Sequence, residues 1–110
     1  MKKKNRVKKS YEFQQLIHEG NKLVNQSFAL YFKEKVEAEA RIGITLSKKI
    51  GNAVERNLIK RQVRMMCQDL IPVDTYPNDL IVIVRFGYKD LSFSENKNNL
   101  EKLLIKATIK

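Results

Sequence analysis

The stretch RIGITLSKKIGNAVERNLIKRQVR, residues 41–64, decides the architecture of the chain. Its first part alternates. Ile42, Ile44 and Leu46 fall on one side of an extended segment over 41–47, and Gly43, Thr45 and Ser47 fall on the other, the period-two pattern of a strand with one face on a core. Gly51 and Asn52 then signal a helix start: Asn52 as N-cap with Glu55 three residues on forms a capping box, and Gly51 is free to take a positive φ ahead of it. The helix is predicted from Ala53 to about Leu70, closed by Pro72. At about 100° per residue, Arg56, Lys60, Arg64, Asn57 and Arg61 share an arc of about 140°. Leu58, Ile59, Val63, Met66, Cys67 and Leu70 fill the remaining arc as the core side. Like charges three and four residues apart cost about 0.2–0.5 kcal/mol per pair, so a face of this kind is best accounted for by an anion that neutralises it. Guanidinium groups suit the planar, bidentate recognition of phosphate. Lys48 and Lys49 precede the helix, whose free N–H groups and positive dipole end add an anion site beside Gly51 and Asn52. Loop and helix together predict one phosphate-binding surface made by Lys48, Lys49, Asn52, Arg56, Asn57, Lys60, Arg61 and Arg64.

Upstream of this unit, Ser10 is expected to cap a short helix with Phe13, Leu16 and Ile17 on one stripe and Gly20 at its end. Residues 22–25 read as a possible short strand. Over 28–33, Phe28, Leu30 and Phe32 point one way and Ala29 and Tyr31 the other, which makes a second strand. Residues 34–40, acidic and Ala-containing, form a connection. Downstream, Pro77 and Asn78 turn into a continuous β-branched run over 80–86, expected to be buried on both faces. Ser92 with Glu95 supplies another capping box, and Leu100, Leu103, Leu104 and Ala107 make the stripe of a final helix. The resulting order, helix, three strands, helix, strand, helix, predicts an α+β fold, a two-layer α/β sandwich, as a single domain over residues 1–110.

At 110 residues, with a net charge of +10, the chain is long enough for one core and too short for a multidomain enzyme. Its charge is concentrated. Lys2, Lys3, Lys4, Arg6, Lys8 and Lys9 make a basic tail over residues 1–9, and Lys48, Lys49, Arg56, Lys60, Arg61 and Arg64 with Glu55 make a second basic block. These two blocks carry more than the whole net charge, so the remainder is slightly acidic. Two cationic blocks on a near-neutral body are the footprint of a polyanion binder. A single cysteine, Cys67, rules out an intrachain disulfide and is read as a small buried hydrophobe. No Cys/His spacing suits zinc, no apolar run approaches a membrane span, and no signal-type apolar stretch follows the basic tail, so the chain is expected to begin as it stands and to act in a reducing cytoplasm without a membrane. His18 reads as an exposed helix residue, and Asp69, Asp74, Asp79 and Asp90 make no carboxylate pair, so no protein catalytic residue is expected.

Residues 47–64, SKKIGNAVERNLIKRQVR, closely resemble the signature of the bacterial ribonuclease P protein subunit family. Asn5, Arg6, Val7, Lys8 and Lys9, Phe13 and the 28–32 strand extend the resemblance over nearly the whole chain. Arg56-Asn57 and Lys60-Arg61 match its basic helix, whereas Leu58 stands where many members carry a second Arg. The resemblance implies a helix–sheet sandwich like the second domain of ribosomal protein S5, in which a left-handed crossover joins parallel strands. It implies that Lys48, Lys49, Asn52, Arg56, Asn57, Lys60, Arg61 and Arg64 contact a large catalytic RNA. It further implies that a cleft between sheet and first helix takes the single-stranded 5′ leader of precursor tRNA, which the RNA removes. Phe13, Ile17, Tyr31 and Thr45 occupy cleft positions, with Ile17 where a second aromatic residue is common. Ala29, Gly43 and Thr45 would leave room, and aromatic side chains stack on bases without demanding a sequence. Catalysis and Mg²⁺ would then belong to the RNA, with no cofactor bound by the protein alone and no obligatory protein partner. Two alternatives stay open on the residues themselves: a general RNA-binding protein of ribosomal type, which would need no leader cleft, and an autonomous metal-dependent nuclease, which the scattered acids disfavour.

Overall fold

The computed structural model describes residues 5–7 and 10–109. The tail cations Lys2, Lys3, Lys4, Lys8 and Lys9, and the capping side chain of Ser10, lie outside the described part. The chain runs α1 (Ser10–Glu19), β1 (Asn21–Val24), β2 (Phe28–Glu34), β3 (Ile42–Leu46), α2 (Ala53–Leu70), β4 (Asn78–Val84) and α3 (Phe93–Lys106). Single 3₁₀ turns at Lys48–Ile50 and Phe86–Asp90 precede α2 and α3. This is the α+β order the sequence predicts.

The four strands form one sheet in the order β1-β2-β4-β3. β2 is antiparallel to β1 and β4, and β3 runs parallel to β4. A parallel neighbour needs a crossover, and α2 provides it. Strand alternation then divides the side chains. Phe28, Leu30, Phe32, Ile42, Leu80, Val82 and Val84 face α2 and α3, where Ile59, Val63, Met66, Cys67, Leu100, Leu103 and Leu104 complete the core. α1 lies across one end of the opposite face and leaves the other end open, so the sandwich has one full helical layer and one partial one.

Three expectations about local structure need correction. β4 begins at Asn78 and ends at Val84, leaving Phe86 in a 3₁₀ turn and 58% exposed, because Arg85 closes the ladder by donating its N–H to Ser27 O. Leu58, assigned to the core side of α2, is 52% exposed, because it lies at the margin of the arc that Ile59, Val63, Met66 and Cys67 bury. Gly51 is extended, with φ 170°, not left-handed. Glycine leaves room there for the capping carboxyl: a Cβ would stand 2.8 Å from Glu55 Oε1, and Glu55 would have to shift. The α2 capping box itself is present, with Glu55 N donating to Asn52 Oδ1 at 2.9 Å and Asn52 N donating to Glu55 Oε1 at 3.3 Å. Such a cap stabilises a helix by about 1 kcal/mol. A second box joins Ser92 and Glu95 on α3.

The basic tail is anchored where it is described. Arg6 bridges to Ile42 in parallel, Val7 N donates to Ile42 O at 3.2 Å, and buried Asn5 donates to Ala40 O at 3.2 Å. The outer edge of β3 is thereby covered for a few residues.

Cys67 is buried, and desolvation pushes its thiol up to about 12. Alkylation requires the thiolate, so at pH 8 iodoacetamide should modify native Cys67 at least about 100-fold more slowly than the denatured chain. Mass spectrometry of timed aliquots with and without guanidinium checks this, and equal rates would contradict the burial.

Candidate nucleic-acid interface

The entry to α2 is a tied loop. Ser47 Oγ accepts from Lys49 N at 3.1 Å and fixes the 3₁₀ turn. Lys89, from the turn before α3, donates to Ile50 O at 2.9 Å and pairs with Glu55 at 3.1 Å. The hydrogen bond from Lys89, with that from Asn52 N, holds the Glu55 carboxyl below its usual range. Arg56 folds back on the same loop, donating to Gly51 O at 3.1 Å and Lys48 O at 3.4 Å. Two of the expected contacts therefore have structural duties: Asn52 Oδ1 caps the helix, and Arg56 braces the loop that carries Lys48 and Lys49.

The other cations of this face are unengaged. Arg61 and Arg64 are exposed and Lys60 is half-buried, and among the described residues none of the three has an acidic partner. The acids pair elsewhere: Glu19 with Lys33, Glu12 and Asp79 with Arg41, Glu55 with Lys89 and Asp69 with Lys97. Lys48 and Lys49 are exposed at the helix start and Asn57 is exposed beside them. All eight residues predicted for the phosphate surface thus lie on α2 or on the loop leading into it.

The cleft is built on the opposite face of the sheet, where registers define rows across the strands. One row is Lys22, Tyr31, Ile81 and Gly43, and the next is Val24, Ala29, Ile83 and Thr45. α1 overlies the strand ends beyond the first row, with Phe13 and Ile17 half-buried along it. Phe13 lies on Gly43: a Cβ there would meet Phe13 Cζ at 2.6 Å. Gly43 therefore leaves no empty space, contrary to expectation, because the Phe13 ring fills it. The more open part of the floor is the second row, in which Val24 is 45% exposed, Ile83 and Thr45 are half-buried and Ala29 is buried. Tyr31 is half-buried at the border of that floor, and Lys22 Nζ stands 5.4 Å from its ring centroid. This is cation–π distance.

The two surfaces meet at the β3 edge. A groove of about 240 Å³ is lined by Arg6, Val7, Phe13, Gly43 and Arg64, so one helical cation and one cleft aromatic share a wall. Sequence reasoning missed Lys22 and Ile83. Lys22 carries no motif, and its place over Tyr31 follows only from the register of β1 on β2. Ile83 was hidden in an apolar run expected to be buried on both faces, and no one-dimensional signal told which part of that face α1 would leave open. Lys89 was missed because its partners lie 34 and 39 residues away.

Among the described residues no three His, Cys, Asp or Glu side chains are grouped to hold a metal ion. His18 is exposed. No described helix is long and apolar enough to cross a membrane.

Fold and surface together define a class: a small α+β domain that presents an unneutralised cationic helix beside a half-covered sheet groove. The family model of Ribonuclease P matches residues 1–108. The "Ribonuclease P protein component" of Bacillus velezensis is 41% identical over 110 residues, covering 99% of this chain and 94% of that protein. A solved structure of a Staphylococcus aureus RNase P protein mutant with defective mRNA degradation activity superposes with a TM-score of 0.85 at 36% identity, covering 96% of this chain and 89% of the other. The RNase P protein of Thermotoga maritima gives 0.78 at 28% identity, with 92% and 96% covered. The chain belongs to the ribonuclease P protein family.

Proposed function

We propose that this chain is the protein subunit of a bacterial ribonuclease P that binds the catalytic RNA through α2 and its leading loop and holds the 5′ leader of precursor tRNA in the sheet groove. The observation that carries this reading is the shared wall of Phe13 and Arg64, which would bring a single-stranded segment on the groove and a structured RNA on the helix into register. Lys48, Lys49, Lys60, Arg61 and Arg64 supply uncommitted positive charge between two polyanions, lowering their repulsion and releasing counterions. Tyr31 and Phe13 offer faces for bases, Ile17 lines the α1 side, and Ile83 and Thr45 form a mainly apolar floor. Metal-assisted hydrolysis of the leader phosphodiester is assigned to the RNA partner with its Mg²⁺, and the protein's part is to bind and position. The products would be mature tRNA 5′ ends, made in the cytoplasm.

Reconstitution tests the division of labour. Rigorously RNA-free protein with Mg²⁺ should leave precursor tRNA intact, and adding the cognate RNA at low salt should yield cleavage that RNA alone does not give under those conditions. Specific cleavage by the protein alone, or a protein without effect on the RNA, would refute the proposal.

A further inference from the structure

We propose that Glu12, Arg41 and Asp79 form a latch that fixes where α1 stands across the sheet and so sets the width of the leader groove, an inference that rests on the groove reading above. Arg41 lies just before β3, in the row that continues to Asp79 on β4 and Lys33 on β2. This is the row under α1. Asp79 holds Arg41 twice, accepting its backbone N–H at 2.8 Å and lying 3.6 Å from the guanidinium. From α1, Glu12 accepts a hydrogen bond from Arg41 Nη1. The site is largely shielded: Asp79 is 4% exposed, the Arg41 and Glu12 side chains are 25% and 18% exposed, and Arg41 Nε is buried with no hydrogen-bond partner among the described residues. Desolvation opposes the Arg41 charge, but Glu12 and Asp79 outweigh it and raise its pKa.

The second tie of α1 to the same row, Glu19 to Lys33 at 2.5 Å, is about half exposed at both partners, and water and salt screen such a pair. The less exposed triad is therefore the stronger tie. Removing Glu12 would leave a partly buried guanidinium with one acidic partner fewer, which a helix end relieves by moving away and admitting water. Glu12 is followed directly by Phe13, whose ring is already within contact of Gly43 and cannot move closer. Any displacement of α1 at this end must lift or slide Phe13 and alter the groove wall, while α2 on the other face stays as it is. Glu12, Arg41 and Asp79 are thus positioning residues acting through Phe13.

The test uses the full chain assembled with its catalytic RNA and three variants: Glu12→Gln, which keeps the shape and removes the charge, Glu12→Asp, which keeps the charge on a shorter arm, and Tyr31→Ala as a groove control. Glu12→Gln should weaken binding of precursor tRNA about tenfold, leave mature tRNA and catalytic-RNA affinities unchanged, and speed amide exchange in α1 but not in β4. Glu12→Asp should fall between it and the parent. If Glu12→Gln binds and exchanges like the parent while Tyr31→Ala separates precursor from mature tRNA, the latch is wrong and the groove stands. If Tyr31→Ala separates nothing, the groove reading fails and takes the latch with it. Should Glu12→Gln fail to fold, Glu12→Asp decides: parent-like ratios and exchange would overturn the proposal.

Discussion

A variant with Lys60, Arg61 and Arg64 all changed to Ala should bind the catalytic RNA with a much flatter dependence on salt. Each phosphate contact removed takes about 0.7–0.9 from the slope of log affinity against log salt concentration, so three contacts take about 2 to 3. These three cations are chosen because they have no acidic partner among the described residues, whereas the guanidinium of Arg56 is bound to Gly51 O and Lys48 O. Adding Arg56→Ala should remove less than a full contact from the slope and instead loosen the loop that presents Lys48 and Lys49. Filter binding across a KCl series measures both. A folded triple variant with the parent slope would show that the helix face is not where the RNA lies.

Tyr31→Ala should weaken binding of precursor tRNA to the holoenzyme by roughly five- to a hundredfold while mature tRNA, lacking the leader, binds about as before. The range follows from about 1–3 kcal/mol for a base stacked on an aromatic ring. Lys22 places the expectation toward the lower end. Its ammonium already stands over the Tyr31 ring, so a base gains the ring only by displacing an existing contact, and the ammonium then becomes free for the leader phosphates. Tyr31 is only half-buried, which makes truncation tolerable to the fold, and circular dichroism verifies that. Equal weakening of precursor and mature tRNA would favour a general RNA-binding protein without a leader site.

Most of the element order was legible because each element carries its own local signal. The capping boxes at Asn52 and Ser92, the alternation of Phe28, Leu30 and Phe32, and the separation of cations from Val63 and Met66 on α2 all depend on neighbours a few residues away. What was not legible depends on partners far along the chain. Leu58 satisfies the core arc of the wheel, yet it stands exposed at the margin of the arc that the rest of the fold covers. Gly43 reads as a gap until Phe13, thirty residues earlier, is seen to fill it. The eight phosphate-surface residues could be placed together from helical periodicity and the loop that leads into α2, and the capping role of Asn52 was legible too, but the commitment of Arg56 to loop carbonyls appears only in three dimensions. The triad of Glu12, Arg41 and Asp79 joins three elements and has no sequence pattern at all.

The strand order β1-β2-β4-β3 also governs how the protein can be made on a ribosome. β1 and β2 pair as soon as both have emerged, but β3 has no adjoining strand until β4 arrives between it and β2, more than thirty residues later. α2 is synthesised in that interval. Without Leu80, Val82, Val84 and α3, the residues Ile59, Val63 and Met66 lose much of their cover, and a nascent chain ending before β4 carries its cationic helix on an incomplete core. Pairing across such distances is slow compared with local contacts. Premature termination before β4 therefore releases a chain that still has every cation of the basic face of α2 but lacks the strand that joins β3 to β2, a product suited to nonspecific adhesion to polyanions and to degradation, not to assembly.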